Sequence, residues 1–165
     1  MQPRSTLSRR QLLGQAACVL ASPALAAHAA WDFTLPTLEG DRFVQLSQLR
    51  GPVLVNFWGR DCPPCVAELP RLQAFAENQA SWTLLLIATD APQLAQQFLL
   101  QRGIVGLTVL RASANPAALM RGAGNRSGAL PFSVALRDGR ICQAHTGELT
   151  DADLQTLLTA CAGLA

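Results

Sequence analysis

The chain of 165 residues is poor in charge: Asp, Glu, Lys and Arg make up 15% of it, against 50% apolar residues. So much apolar side chain per charge excludes an intrinsically disordered protein. The length suits one domain with a single sizeable core. Runs of basic residues are also missing. The 13 basic residues exceed the 11 acidic ones only because Arg4, Arg9 and Arg10 crowd the start, and without these three the net charge is −1. That balance gives no footprint for nucleic acid. There is no internal repeat, no low-complexity tract and no shift in composition that would mark a second folded domain. An unbroken membrane-length apolar run is lacking too. Leu12 to Ala26 is Ala-rich, but Gly14, Gln15, Ser22, Pro23 and, just beyond, His28 keep the region only weakly hydrophobic.

What stands at the start instead is a leader pattern. Arg9-Arg10 precedes the apolar stretch, which ends in the small-residue sites Ala24-Leu25-Ala26 and Ala27-His28-Ala29. Ser8-Arg9-Arg10-Gln11-Leu12-Leu13 resembles a twin-arginine export motif, with Leu12 where an aromatic residue often follows the pair. The expectation is an export signal over 1–29, cleaved near 26 or 29, followed by one domain over 30–165. Export implies the periplasm, with an uncleaved leader as the route to membrane anchoring. Cleavage removes Cys18 and leaves Cys62, Cys65, Cys142 and Cys161, an even number that suits an oxidising compartment.

Along the remainder, period and punctuation predict a β-hairpin over Phe33–Leu38 and Arg42–Leu46, and a buried strand over Pro52–Trp58. A helix over Pro63–Asn78, kinked at Pro70, follows, and then a second strand over Trp82–Ala88. Asp90 is expected to cap a helix from Pro92 to about Arg102. A short strand over Leu107–Leu110 and a helix capped by Asn115 come next. The chain should end in a hairpin of Phe132–Leu136 with Arg140–His145 and a final helix capped by Thr150. Strands alternating with helices, closed by an antiparallel pair, make an α/β domain with a mixed sheet flanked by helices on both faces.

Cys62-Pro63-Pro64-Cys65 lies between the buried strand and the first long helix. Two cysteines at this spacing can close a small reversible disulfide. At a helix N-terminus, unpaired N–H groups and the helix dipole favour a thiolate on the first sulfur. Thiolates attack disulfides, so the motif reads as a redox site. Glu68 lies one turn beyond Cys65 and can share its helix face. A carboxyl buried there would have a raised pKa and could move protons for Cys65, the alternative being a solvated surface glutamate. Cys142 and Cys161 are candidates for a structural disulfide if the last helix packs antiparallel on the last strand, the alternative being two buried free thiols. Cys62/Cys65 with Cys142/His145 mimics zinc-ligand spacing. Cys142 and His145, three apart on a strand, are expected on opposite faces, so no metal is expected.

These residues together resemble the exported thiol–disulfide oxidoreductases of the TlpA/ResA type, which have a thioredoxin-like fold. The resemblance is carried by Phe33-Thr34-Leu35, Leu46-Ser47-Gln48-Leu49-Arg50-Gly51, Val53 to Trp58, Cys62 to Cys65, Glu68-Leu69-Pro70, Leu130-Pro131 and Arg137-Asp138-Gly139-Arg140. It covers nearly all of the chain after the leader, with the hairpin as an N-terminal addition and a short αβ insertion. It implies that Cys62 attacks, Cys65 resolves, and Pro131 faces the disulfide across a cis peptide bond that leaves the Leu130 backbone free for a substrate strand. Trp58, a core residue by its place in the strand, and Pro64 are counted with Leu130 and Pro131 as substrate-contacting. Classical thioredoxin has a buried aspartate where this chain has Asn56, which cannot titrate and leaves Glu68 as the proton carrier. The clearest departure is Asp61, where the family usually has tryptophan.

The expected function is reductive exchange of the Cys62–Cys65 pair with cysteines of other exported proteins, as in cytochrome c or metalloprotein maturation. A membrane thiol reductase would supply electrons to a monomer with no bound cofactor and no nucleic-acid partner. The alternatives are an oxidant or isomerase of periplasmic disulfides, and a metal-binding or docking module whose cysteines do not turn over.

Overall fold

The computed structural model describes residues 31–162; the export segment expected over 1–29 lies outside them. Strand β1 (Thr34–Pro36) pairs antiparallel with β2 (Phe43–Gln45) as the expected hairpin. A single 3-10 turn over Leu46–Gln48 leads into β3 (Pro52–Trp58). Helix α1 (Pro63–Asn78), β4 (Thr83–Ala88), α2 (Pro92–Gln101), β5 (Thr108–Arg111), α3 (Pro116–Gly122), β6 (Phe132–Arg137), β7 (Arg140–Thr146) and α4 (Asp151–Ala162) complete the order. The main sheet runs β5-β4-β3-β6-β7, parallel from β5 to β3 and antiparallel from β3 to β7. The architecture is therefore the expected α/β class with a mixed sheet.

Each face of the sheet is filled by alternate residues of the same strands. On β3, Leu54, Asn56 and Trp58 face one layer, where Leu69 and Leu72 of α1, Leu99 of α2 and Leu157 of α4 close over them. Val53, Val55 and Phe57 face the other, covered by Leu35 and Val44 of the hairpin and Met120 of α3. Every residue of β3 is buried, which explains its continuous apolar run. Full burial of a side chain such as Phe57 or Leu54 stabilises the fold by about 1.5–3 kcal/mol over leaving it exposed. The small hairpin joins the sheet at the β5 edge, where Leu38 N–H donates to Val109 C=O at 2.9 Å.

Two local expectations need correction. Asp90 does not cap α2: the N-cap is Ala91, with no side-chain bond to the helix. The Asp90 carboxylate instead accepts the Arg60 backbone N–H at 2.7 Å, so a tertiary partner takes the acceptor that local sequence offered to the helix. Cys142 and His145 do not point to opposite faces. A bulge between Ala135 and Leu136 pairs those residues with Gln143 and Ile141, and leaves Cys142 as the extra residue. The inserted residue shifts the alternation, so Cys142 and His145 both turn toward α4, to Cys161 and Asp153. Asn115 and Thr150 do cap their helices, Thr150 within a reciprocal pair with Asp153.

Candidate active site

Strand β3 ends on the buried Trp58, and Gly59 carries the chain out of the sheet. A side chain at Gly59 would put its Cβ 3.0 Å from Thr89 Oγ1 and 3.7 Å from Leu130 Cδ1, so glycine permits this close approach of three segments. Cys62 then takes an extended conformation as the N-cap of α1. Its Sγ accepts the Cys65 N–H at 3.3 Å. Pro63 and Pro64 occupy the first turn, where a missing N–H costs no helical bond. Because neither proline has a donor, Cys65 supplies the first free amide of the helix, and it is aimed at Cys62.

Cys62 and Cys65 are joined, with Cα atoms 5.3 Å apart. Cys62 is partly exposed and Cys65 is fully buried. An incoming sulfur can therefore reach only the first position, and the second is left to close the ring again. Pro63 is exposed and Pro64 half-buried beside them, whereas Trp58 is 0% exposed, packed near Phe98. Trp58 therefore has no surface to offer a partner; its place is in the core below the motif. The Leu130–Pro131 peptide is cis. Pro131 is buried and its C=O accepts the Gly147 N–H at 2.9 Å, while Leu130 is half-exposed and lies just outside the ladder that begins at Phe57 and Phe132.

Beneath Cys65 the sheet and helix enclose a polar cluster. Glu68 is fully buried; its Oε1 accepts the Asn56 amide at 2.7 Å and its Oε2 accepts the Leu149 N–H at 2.7 Å. Asn56 also donates to Ser133 Oγ at 3.0 Å. Burial penalises the carboxylate and pushes Glu68 from an ordinary 4.5 up to about 7; the Leu149 and Asn56 donors and Arg71 pull against this, and the nearby Glu148 adds to it. A carboxyl that titrates near neutrality, one turn from a buried sulfur, is suited to exchanging protons with it. The alternative of a solvated Glu68 does not apply.

Several participants carried no sequence signal. Leu149 and Ser133 enter through backbone position and topology. Asn125, 3% exposed, builds the loop before Pro131 by donating to Ala129 C=O and accepting from Gly128 N–H and Ser127 Oγ. Its only local sign in the sequence is the flanking Gly122, Gly124 and Gly128. Asp61 is exposed, with Arg60 Nε 3.4 Å from its carboxylate. Away from this site, Cys142 and Cys161 are bonded, tying β7 to α4. Among the described residues no group of His, Cys, Asp and Glu is arranged to hold a metal ion, and no helix is long and apolar enough to cross a membrane.

Comparison with known proteins places this geometry. The profile of the AhpC/TSA family matches residues 26–137. The chain is 32% identical over 135 residues to the thiol-disulfide oxidoreductase ResA of Halalkalibacterium halodurans, covering 79% of this chain and 73% of that protein. Among solved structures it superposes on a thioredoxin-related protein from Neisseria meningitidis serogroup B with a TM-score of 0.68 and 26% identity, covering 78% of this chain and 98% of the other. A secreted disulfide oxidoreductase of Mycobacterium tuberculosis, homologous to DsbE of E. coli, gives 0.64 and 25%, covering 81% and 99%. Family profile, relative and fold agree: the chain belongs to the AhpC/TSA family and is a thioredoxin-like thiol:disulfide oxidoreductase.

Proposed function

We propose that this protein is exported and acts as a dithiol reductant of other exported proteins, with Cys62 as nucleophile, Cys65 as resolving thiol and Glu68 as proton carrier. The Cys62 thiolate attacks a client disulfide, forming a mixed disulfide and releasing one client thiolate. Cys65 then gives its proton to the Glu68 carboxylate and attacks Cys62 Sγ. The Cys62–Cys65 bond forms, the second client thiolate leaves, and two electrons have passed to the client. Leu130 and Pro131, with Pro64, serve as the platform for the client, a role supported by the TlpA/ResA resemblance and by the cis Leu130–Pro131 peptide. A membrane thiol reductase would return the pair to the dithiol.

The observation that carries this reading is the pairing of a reachable Cys62 with a buried Cys65 one helical turn before a buried carboxyl that desolvation pushes up to about 7. The leader pattern over 1–29 supports export, and the TlpA/ResA resemblance supports the reducing direction and clients such as apocytochromes or metal-site proteins. Insulin reduction with dithiothreitol tests the activity: the wild type accelerates precipitation and Cys62→Ser does not. An inactive wild type would overturn the enzyme reading. Expressed in cells, Cys65→Ser accumulates mixed disulfides through Cys62, and their identification by mass spectrometry names the client; adducts confined to cytoplasmic proteins would overturn export.

A further inference from the structure

The segment between β7 and α4 crosses the side of α1 that bears Glu68 and Arg71, three residues apart and so neighbours on the helix surface. These two side chains grip one residue of that segment from both ends. Glu68 Oε2 accepts the Leu149 N–H at 2.7 Å, and Arg71 Nη1 donates to the Leu149 C=O. The same guanidinium reaches outward on either side of Leu149. Its Nε donates to Asp151 Oδ1 at 3.0 Å and Nη1 lies 3.5 Å from Glu148 Oε1. A planar fork with several fixed donors can make these bonds at once, which a lysine ammonium on its flexible stem cannot do in the same geometry.

We propose that Arg71 is a positioning residue for the buried carboxyl of Glu68: it pins the Glu148–Asp151 segment so that the Leu149 N–H stays on Glu68, and it neutralises Glu148, the other carboxylate facing that site. The proposal rests on the reading of Glu68 as proton carrier only for its consequence in catalysis, not for the grip itself.

The direction of the effect follows from what else holds the segment. The Leu149 side chain is fully buried in the layer between sheet and α1. Thr150 and Asp153 close the α4 cap independently, and Cys142–Cys161 ties the flanking elements together. Loss of Arg71 therefore does not unroll the segment or flood Glu68 with water. It slackens one N–H donor to the carboxylate and leaves Glu148 unopposed. The remaining groups that face Glu68, Asn56 of β3 backed by Ser133 of β6, are neutral, and Cys65 lies one turn back on α1. Nothing else within the cluster replaces the lost positive charge. Both changes disfavour the ionised carboxyl, so Glu68 should hold its proton to higher pH.

The test titrates the Glu68 carboxyl by carbon-13 NMR in the full chain, oxidised, for wild type, Arg71→Gln, Arg71→Lys and Asp151→Asn. Arg71→Gln should raise the midpoint by on the order of one pH unit. Arg71→Lys should restore part of the shift, because charge returns without the fork. Asp151→Asn, which loosens the grip while keeping Arg71, should raise the midpoint by less than Arg71→Gln, and it serves as the independent variant if Arg71→Gln folds poorly. An unchanged or lowered midpoint, or full restoration by lysine, would overturn the grip. The pH profile of thiol–disulfide exchange is read alongside. A moved carboxyl midpoint with an unmoved rate profile supports the grip and overturns the role of Glu68 in proton transfer, so the two ideas fail separately.

Discussion

Asp61 puts an anion beside Cys62, where the resemblance expects the flat apolar indole of a tryptophan. Its side chain is 80% exposed and shares Arg60 with Asp90, at 3.4 and 3.9 Å from the guanidinium Nε. Water and a partly engaged cation both weaken its field at the sulfur. Asp61→Asn should therefore lower the Cys62 pKa only slightly, measured by thiolate absorbance of the reduced protein; no change would remove Asp61 from the chemistry. Residues of this kind are legible in sequence because their effect depends on adjacency. Glu68 is legible for the same reason, one turn from Cys65. Its acceptors' partners are not: Leu149 lies 81 residues away from it, and Asn56 meets Ser133 across 77. Trp58 marks the opposite error. It is counted among the substrate contacts as well as in the core, but the last inward position of a central strand is under the motif, not on it.

At the scale of elements, caps and strands follow local rules until a tertiary partner offers more. Asn115 and Thr150 cap as their sequences suggest, whereas Asp90 turns away from α2 to the Arg60 amide, which joins the β4–α2 loop to the approach of Cys62. The bulge at Cys142 was invisible in a strand of ordinary alternation, and it aims that sulfur at Cys161. The resulting bond spans 19 residues and encloses the Glu148–Asp151 segment. Replacing both cysteines by alanine should cost about 3 kcal/mol of stability, read from urea unfolding without reductant. Insulin reduction by the double variant should survive at temperatures well below its unfolding midpoint, since Cys62 and Cys65 are untouched. A loss of activity with unchanged stability would make this second pair part of the catalytic cycle.

For the whole molecule, the layered sheet creates the dry site that makes Glu68 unusual, and stability must carry the consequence. Its folded pKa of about 7 stands above the ordinary 4.5, so the contribution of its bound proton to stability is fully present below pH 4.5 and is lost as pH rises through 7. The loss amounts to about 2–4 kcal/mol between those limits. Asp32, where the desolvation penalty is outweighed by hydrogen bonds from Ser47 and Phe33, and Asp41 and Asp153, bonded by Thr37 and Thr150, are held below the usual carboxylate range; they act in the opposite sense, their contribution being lost as pH falls below about 3.8. Urea unfolding from pH 4.5 to 8 should therefore show stability falling in the wild type and nearly flat in Glu68→Gln; parallel curves would mean that Glu68 holds its proton no more tightly in the fold than in the unfolded chain. The order of elements, the redox pair at a helix start and the helix residue able to serve Cys65 are legible along the chain, because periodicity, capping and helical spacing are properties of neighbouring residues. The desolvation of Glu68 and its grip from two sides, the departure of Asp90 from its helix and the meeting of Cys142 with Cys161 arise in the folded molecule alone. Those outcomes depend on which distant segments the sheet order brings together.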